Sequence, residues 1–575
     1  LTTLTLLFMK LYFLVFFTLF SIQFGLAQEN LPQDYFKSPL EIPLILSGTF
    51  GELRSNHFHS GMDIKTHQQT GLSVVASASG YVSRIKISHF GYGKALYIQH
   101  PNGYTSVYAH LKEFAPEIEK YIKERQYAKE SYEIEVFPQA NELSVDQGEL
   151  IAYSGNSGGS GGPHLHFEIR DSQARPMNPM QFGIDIKDAH YPIVRGMYVY
   201  PISENAHIDT KAERKKLRVI PMGNGEYKTE HLQAYGKIGF GINSVDLLNY
   251  AANKNGVNTI ETFLNGKKLL TVDFNKFSFA ESRYINDYID YELEESQNET
   301  VQKLFITNNN PLSIFKYQED QGYVEVNDSL DYNYKIEIKD YEGNTSVVRI
   351  PITPKEIPSE NIEKPQTKKT NYFVKSSQAT AFDEDGFDVY IPRGALYKDE
   401  YLDISTDGES INVHHPTTAL HQNITIGFDV SRFNDEDKEQ LFIARMSDWG
   451  RPYYSTTYKK KNRFTTRTKT FGTYKLAVDN TPPLVQPVNF RNKKWMSNYR
   501  YLKFKISDDL SGISSYRGTI NGKFILMEYD YKTNSLVYDF NDEINTTETE
   551  NNLKIIVVDN VGNSTTFEGT FFRKN

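Results

Sequence analysis

Two histidines one residue apart constrain this chain more than any other feature. In His164-Leu165-His166-Phe167-Glu168-Ile169-Arg170 apolar and polar residues alternate, the period of a half-buried strand. On a strand His164 and His166 share one face while Leu165, Phe167 and Ile169 turn to a core. On a helix the same spacing would splay the histidines roughly 200° apart. A second segment, Tyr104-Thr105-Ser106-Val107-Tyr108-Ala109-His110-Leu111, alternates in the same way. That period places Ser106, Tyr108 and His110 on a polar face, with Val107, Ala109 and Leu111 opposite.

A third piece, His59-Ser60-Gly61-Met62-Asp63, carries a glycine that weakens a helix by about 1 kcal/mol, which points to a loop or strand end. The short β-leaning segments around Gly71, Gly80, Gly91 and Gly93 predict a compact antiparallel sheet. Between the two alternating segments, residues 113–133 are charged, with Phe114, Ile118, Tyr121 and Ile122 at helical spacing, and read as a helical insertion over about 113–142. The run Gly155-Asn156-Ser157-Gly158-Gly159-Ser160-Gly161-Gly162 lacks the Gly-Lys-Ser/Thr ending of a phosphate loop and reads as a tight turn before the histidine strand.

Together the three pieces bring four imidazoles and a carboxylate, enough for a hydrolytic zinc site of three protein ligands with a fourth position for water. The chain has no cysteine, so a metal must be held by His, Asp or Glu. No His-Glu-x-x-His helix is present, so histidine must act as base.

The ordered set His-x3-Asp, Tyr-x-His and His-x-His resembles the lysostaphin-type zinc peptidases, peptidoglycan-cleaving metallo-endopeptidases, over roughly residues 47–170. The resemblance implies that His59, Asp63 and His166 bind one zinc per chain and that His110 and His164 handle protons and developing charge. It implies an exported zinc metallo-endopeptidase acting on peptide bonds in peptidoglycan stems or cross-links. The alternatives are a catalytically silent wall-binding or activator protein, and a zinc peptidase acting on secreted proteins. His57 as a ligand would need a different partner spacing; His67, His89 and His100 read as structural or solvent-exposed. Tyr108 either lines the groove or packs.

The 575 residues exceed what one core supports. Lys10 opens an apolar run ending at Gly25-Leu26-Ala27, which reads as a signal peptide over 1–27 with a natural start at Met9. The expected mature protein carries no membrane anchor and is exported to the periplasm or cell envelope. A net charge of -9 without a basic run argues against nucleic acid as a partner. With 39 Tyr and 36 Phe the fold class is mainly β: an antiparallel-sheet zinc peptidase domain (40–190) followed by β-sandwich modules. A weak repeat supports the latter. Gly256-Val257 precedes Asn265-Gly266-Lys267 as Gly512-Ile513 precedes Asn521-Gly522-Lys523, and an Asp-x-x-Gly-Asn turn follows each, at Asp340 and Asp559. The expected order is an immunoglobulin-like sandwich (191–354) with an insertion near 275–310, a linker (355–370), a β-rich module (371–478) and a second immunoglobulin-like sandwich (479–575). These modules are expected to contact wall or protein rather than catalyse.

Overall fold

The computed structural model describes residues 31–308, 310–327, 330–366, 368–542 and 548–574. The leader expected over 1–27 lies outside them. Among the described residues no helix is long and apolar enough to cross a membrane.

The fold is mainly β, and its first sheet is built from β1 (Leu46–Gly48), β2 (Met62–Lys65), β3 (Gly80–Ile87), β4 (Lys94–Gln99), β5 (Thr105–Ala109), β6 (Ile134–Val136) and β7 (His164–Arg170). Their order across the sheet is β1-β2-β7-β5-β4-β3-β6, with two further short strands at its margins. Every neighbouring pair on this path is antiparallel. Alternation along β7 buries Leu165, Phe167 and Ile169 in one core with Tyr108, Leu96 and Ile98. The opposite face carries His166 and Glu168 beside Val107 and Ala109, their register partners being Ala109 for His166 and Val107 for Glu168.

That register corrects the face assigned to His110. Tyr108 is fully buried in the main core, its ring 5.3 Å from Phe167, and its hydroxyl accepts from Ser77 N–H and from the Ser106 hydroxyl. It does not line a groove. Strict alternation would put His110 in the same core. Instead β5 stops at Ala109 and His110 takes φ 58°, a left-handed conformation uncommon for a non-glycine residue. This single backbone reversal swings the imidazole to the face of His166.

The charged stretch after His110 forms α1 (Pro116–Lys129), with Pro116 opening it, Glu117 and Glu119 in the first turn and Lys129 in the last, as the helix dipole favours. It buries Ile118, Ile122 and Gln126.

Among the described residues the following chain holds three further large cores and a small cluster of Tyr198, Leu293 and Val301. In the first, β8 (Ile193–Pro201) and β9 (Leu232–Val245) pair antiparallel over most of their length. The hairpin from Thr259–Leu264 to Lys267–Asp273 turns on Asn265 (φ 49°) and Gly266 (φ 86°). The hairpin from Ile513–Ile520 to Lys523–Ile525 turns on Asn521 (φ 51°) and Gly522 (φ 78°). Two successive left-handed residues are what a tight two-residue hairpin needs to match strand twist.

The last unit, two sheets of four and five strands around one core, folds back onto the first. Lys94 Nζ donates to Glu528 (2.9 Å), Lys123 Nζ and the Tyr127 hydroxyl to Asp542, and Arg517 to Glu130 (2.6 Å).

Candidate active site

Asp63 and His166 are register partners on the adjacent strands β2 and β7, so both side chains stand on one face at close range. His59 reaches the same point from the loop before β2. Asp63 Oδ1 lies 3.0 Å from His59 Nε2 and 2.9 Å from His166 Nδ1, and the two nitrogens are 3.1 Å apart. All three residues are buried, at 6%, 8% and 3% exposure. Two of the three atoms are imidazole nitrogens and the third is a carboxylate oxygen. Ligands about 2.1 Å from a tetrahedral zinc stand ~3.4 Å from one another, close to what this triangle offers. The donor set therefore fits a metal ion.

The outer nitrogens are fixed by acceptors. His59 Nδ1–H donates to Thr49 O (2.7 Å) and His166 Nε2–H to Glu168 Oε1 (2.8 Å). His110 Nδ1–H donates to Ser157 O and His164 Nδ1–H to Gly162 O, both at 2.8 Å. Each imidazole thus turns its other nitrogen toward the common centre, the orientation that ligating and proton-accepting histidines need. His164 Nε2 is buried without a hydrogen-bond partner, 3.4 Å from Asp63 Oδ1. The rings of His110 and His164 are 4.8 Å apart, those of His110 and His166 5.9 Å. All five residues singled out from the sequence are brought together here. His57 is not: its ring bonds to Ser55 O on the outside. His100 is structural, held between Ser79 O and the Ser106 hydroxyl.

Charge around the centre is set by burial and by partners. Burial would raise the Asp63 carboxyl, yet His59, His164 and His166 hold it well below its usual value. Burial alone would lower His166, but its bonds to Asp63 and Glu168 raise it to about 9. Burial, reinforced by His166 and His164, pushes His110 down to about 3, leaving the imidazole neutral and only weakly basic.

Four contributors escaped sequence reasoning. Glu168 is fully buried; besides His166 it receives the hydroxyls of Ser60 and Tyr92 and the Arg170 guanidinium. Its signal was present, since it continues the His164, His166 alternation. Tyr92 and Thr49 come from loops, and Arg54, which donates to Asp63 Oδ2 at 3.2 Å, from the two-residue strand Leu53–Arg54, stretches too short or irregular to carry such a period.

An open cleft of about 570 Å³ faces Asp63 and His164 and is bounded by Lys65, Pro163 and, from the module after the first domain, Tyr250 and Asn253. Gly161 and Gly162 of the glycine-rich turn also line it, and the last unit holds that turn. The Tyr531 hydroxyl donates to Gly158 O, and Lys532 Nζ to the carbonyls of Asn156 and Ser160.

Residues 57–130 and 135–179 match the model of peptidase family M23. This stretch is an M23 peptidase domain. The chain is 34% identical over 132 residues to the DD-carboxypeptidase/endopeptidase Mpg of Neisseria meningitidis serogroup B, 23% of this chain and 24% of that protein. An uncharacterized metalloprotease of Haemophilus influenzae is 29% identical over 158 residues, 26% and 28% of the two chains. The chain thus spans about a quarter of the length of these curated relatives. Among solved structures, a zinc containing peptidase from Vibrio cholerae shares 23% identity over 27% of this chain and 41% of its own, with a TM-score of 0.21, too low to bear weight. Outside the M23 domain, residues 371–479 match a Zu5-like domain.

Proposed function

We propose that this chain is an exported zinc metallo-endopeptidase that hydrolyses peptide bonds in the stems or cross-links of bacterial peptidoglycan, with one zinc held by His59, Asp63 and His166. The observation that carries the reading is the convergence of these three donor atoms within 3.1 Å of one another, each histidine's remaining nitrogen already spent on an oxygen acceptor. Zinc bound there supplies a Lewis acid for the scissile carbonyl and brings the pKa of a water down to about 7.

The protein's own groups do the rest. His110 is neutral, and its Nε2 takes the proton of the attacking water and passes it to the leaving amine nitrogen as the C–N bond breaks, while Ser157 O keeps the ring in the right tautomer. His164 presents Nε2 to the same space and, on taking up a proton, donates to the oxyanion that forms as the carbonyl becomes tetrahedral. Asp63 and Glu168 keep negative charge beside the histidines. The cleft leading past Pro163 and Tyr250 admits an extended peptide from outside. The activities in the name of the Neisseria protein, carboxypeptidase and endopeptidase, are of the same class. The modules at 191–354 and 479–575, read as immunoglobulin-like sandwiches, hold the M23 domain and offer surfaces for wall contact.

The test is mass spectrometry of purified peptidoglycan after incubation with residues 28–575, wild type beside His166→Ala, with zinc assayed on both. Loss of cross-linked species with wild type alone, together with about one zinc per wild-type chain, is the expected result. Equal activity in zinc-free protein, or wall digestion by His166→Ala, overturns the proposal.

A further inference from the structure

A second group of convergent oxygens lies away from the M23 centre, at the joint between the first domain and the module after it. We infer that Asp188, Asp246 and Asp340 form a divalent-cation site of the calcium type that fastens these two units together.

The three carboxylates bring one oxygen each to within 4.8 Å of one another. Asp246 is 2% exposed, Asp340 5%, and the Asp188 side chain 1%. Asp188 Oδ1 is satisfied by the N–H groups of Ala189 and His190, and Asp340 by the N–H groups of Gly343 and Asn344 and by the Asn344 amide. Asp188 Oδ2 and Asp246 Oδ1, however, are buried with no hydrogen-bond partner. An unpaired buried oxygen is costly, and an ionised one far more so. Both residues line, together with Asp340, a cavity of about 20 Å³, room for one water-sized occupant. Burial, with Asp188 and Asp340 adding to it, pushes the Asp246 carboxyl up to about 8, as carboxylates crowded without a counter-charge should be. The donors are all hard oxygens, with no imidazole among them, the preference of Ca²⁺ and Mg²⁺ rather than zinc.

The chain supplies its own comparison. Asp479, Asp508 and Asp559 form an equivalent triad in the last unit. Asp479 stands four residues before Pro483 as Asp188 stands four before Pro192, and Asp559 and Asp340 each open an Asp-x-x-Gly-Asn turn. In that copy the oxygens accept from the N–H groups of Thr481, Ser511, Gly512, Val561, Gly562 and Asn563. Among the described residues, none of its buried oxygens lacks a partner. One triad is closed by backbone; the other has oxygens left over for a cation.

Position gives the site its consequence. Asp188 belongs to the segment leaving the M23 domain, Asp246 and Asp340 to the module after it, and Thr49 lines the same cavity. Thr49 Oγ1 accepts from Gly256 N–H at 3.1 Å, while its carbonyl accepts from His59. A cation here would hold the joint one residue from the support of a zinc ligand, although the inference does not depend on the peptidase reading.

The test uses residues 28–575, stripped of metal on a chelating resin and given back one equivalent of zinc. Calcium is titrated by calorimetry and by competition with Tb³⁺ luminescence, for which Tyr341 in the cavity wall is a sensitiser. The expected result is one calcium per chain with a Kd in the range of about 1 µM to 1 mM and a higher thermal midpoint in calcium. Asp246→Asn and Asp340→Asn should each weaken binding at least about tenfold, while Asp508→Asn leaves it unchanged. Because Asp246→Asn also relieves repulsion, its metal-free form should fold. No binding heat and no shift of midpoint up to about 10 mM calcium overturns the inference. So does a wild type indifferent to calcium with a stabilised Asp246→Asn, which would show the oxygens sharing a proton instead.

Discussion

His166 and Glu168 stand on the same face of β7 with Nε2 and Oε1 2.8 Å apart, and that bond commits His166 to offering Nδ1 to Asp63 and the centre. Glu168 is itself pinned by Arg170, whose Nε donates to Oε2 at 2.6 Å. Glu168→Gln preserves volume but replaces an acceptor with a mixed amide, so the imidazole loses its fixed tautomer. Zinc affinity or wall hydrolysis should fall by about 10- to 100-fold, measured by competition with a chelating indicator and by turnover.

His110 touches the cluster without belonging to the donor triangle. His110→Ala should keep its zinc and lose turnover by about 10²- to 10⁴-fold, the usual worth of a positioned proton acceptor. Metal analysis beside kcat checks it; loss of zinc would place His110 among the ligands instead.

Gly61 lies under β7, where a methyl group would sit inside contact distance of Phe167 O, 2.8 Å from Glu168 Cγ and 3.0 Å from His166 Nε2. The neighbour that blocks it is backbone, so it cannot step aside. Gly61→Ala should destabilise the chain by about 1–3 kcal/mol and disturb the His166–Glu168 bond, lowering the midpoint of denaturant unfolding and weakening zinc together.

Tyr250 is 87% exposed, holds φ 63° and borders the cleft. Its ring contributes little to folding, so Tyr250→Ala should change stability by no more than about 0.5 kcal/mol. Cleavage of intact wall should drop while that of a short soluble peptide is kept, because only the longer substrate reaches the module. Parallel assays on the two substrates check it.

Asp171, just past β7, receives Lys276 Nζ at 2.8 Å from the neighbouring module and Arg175 Nη2 at 2.7 Å. Burial would raise this carboxyl, but Lys276 and Arg175 hold it at about 2, below its unfolded value. The stabilisation is therefore complete above about pH 4 and is lost as pH falls toward 2. Wild type should exceed Asp171→Asn in thermal midpoint at pH 5, and the gap should close by about pH 2.

The residues of the centre were legible because strand alternation is a local rule. His164, His166 and the core-facing Leu165, Phe167 and Ile169 obey it, and so does Glu168, whose role the same period announces. Tyr108 and His110 obey it only up to Ala109. The left-handed turn at His110 is imposed by contacts remote in sequence, where His110 N–H donates to Tyr92 O and Nδ1–H to Ser157 O, and no pattern within the segment signals it. The Asn-Gly hairpins were equally readable, since positive φ at both residues is intrinsic to the turn.

By itself, then, the sequence singled out the five side chains that converge and placed His164 and His166 on one face of a strand, because residue type and period act within a few residues. Only the tertiary structure decided the pairing of Asp63 with His166, the carbonyls of Thr49, Ser157 and Gly162 that aim the imidazoles, and the meeting of Asp188, Asp246 and Asp340. Gly162 and His164 are only two residues apart and Thr49 and His59 ten, but Ser157 and His110 are 47 apart and Asp63 and His166 103, and the partners are backbone atoms or buried oxygens. Such groups are present in every stretch of chain, and folding alone selects which of them meet.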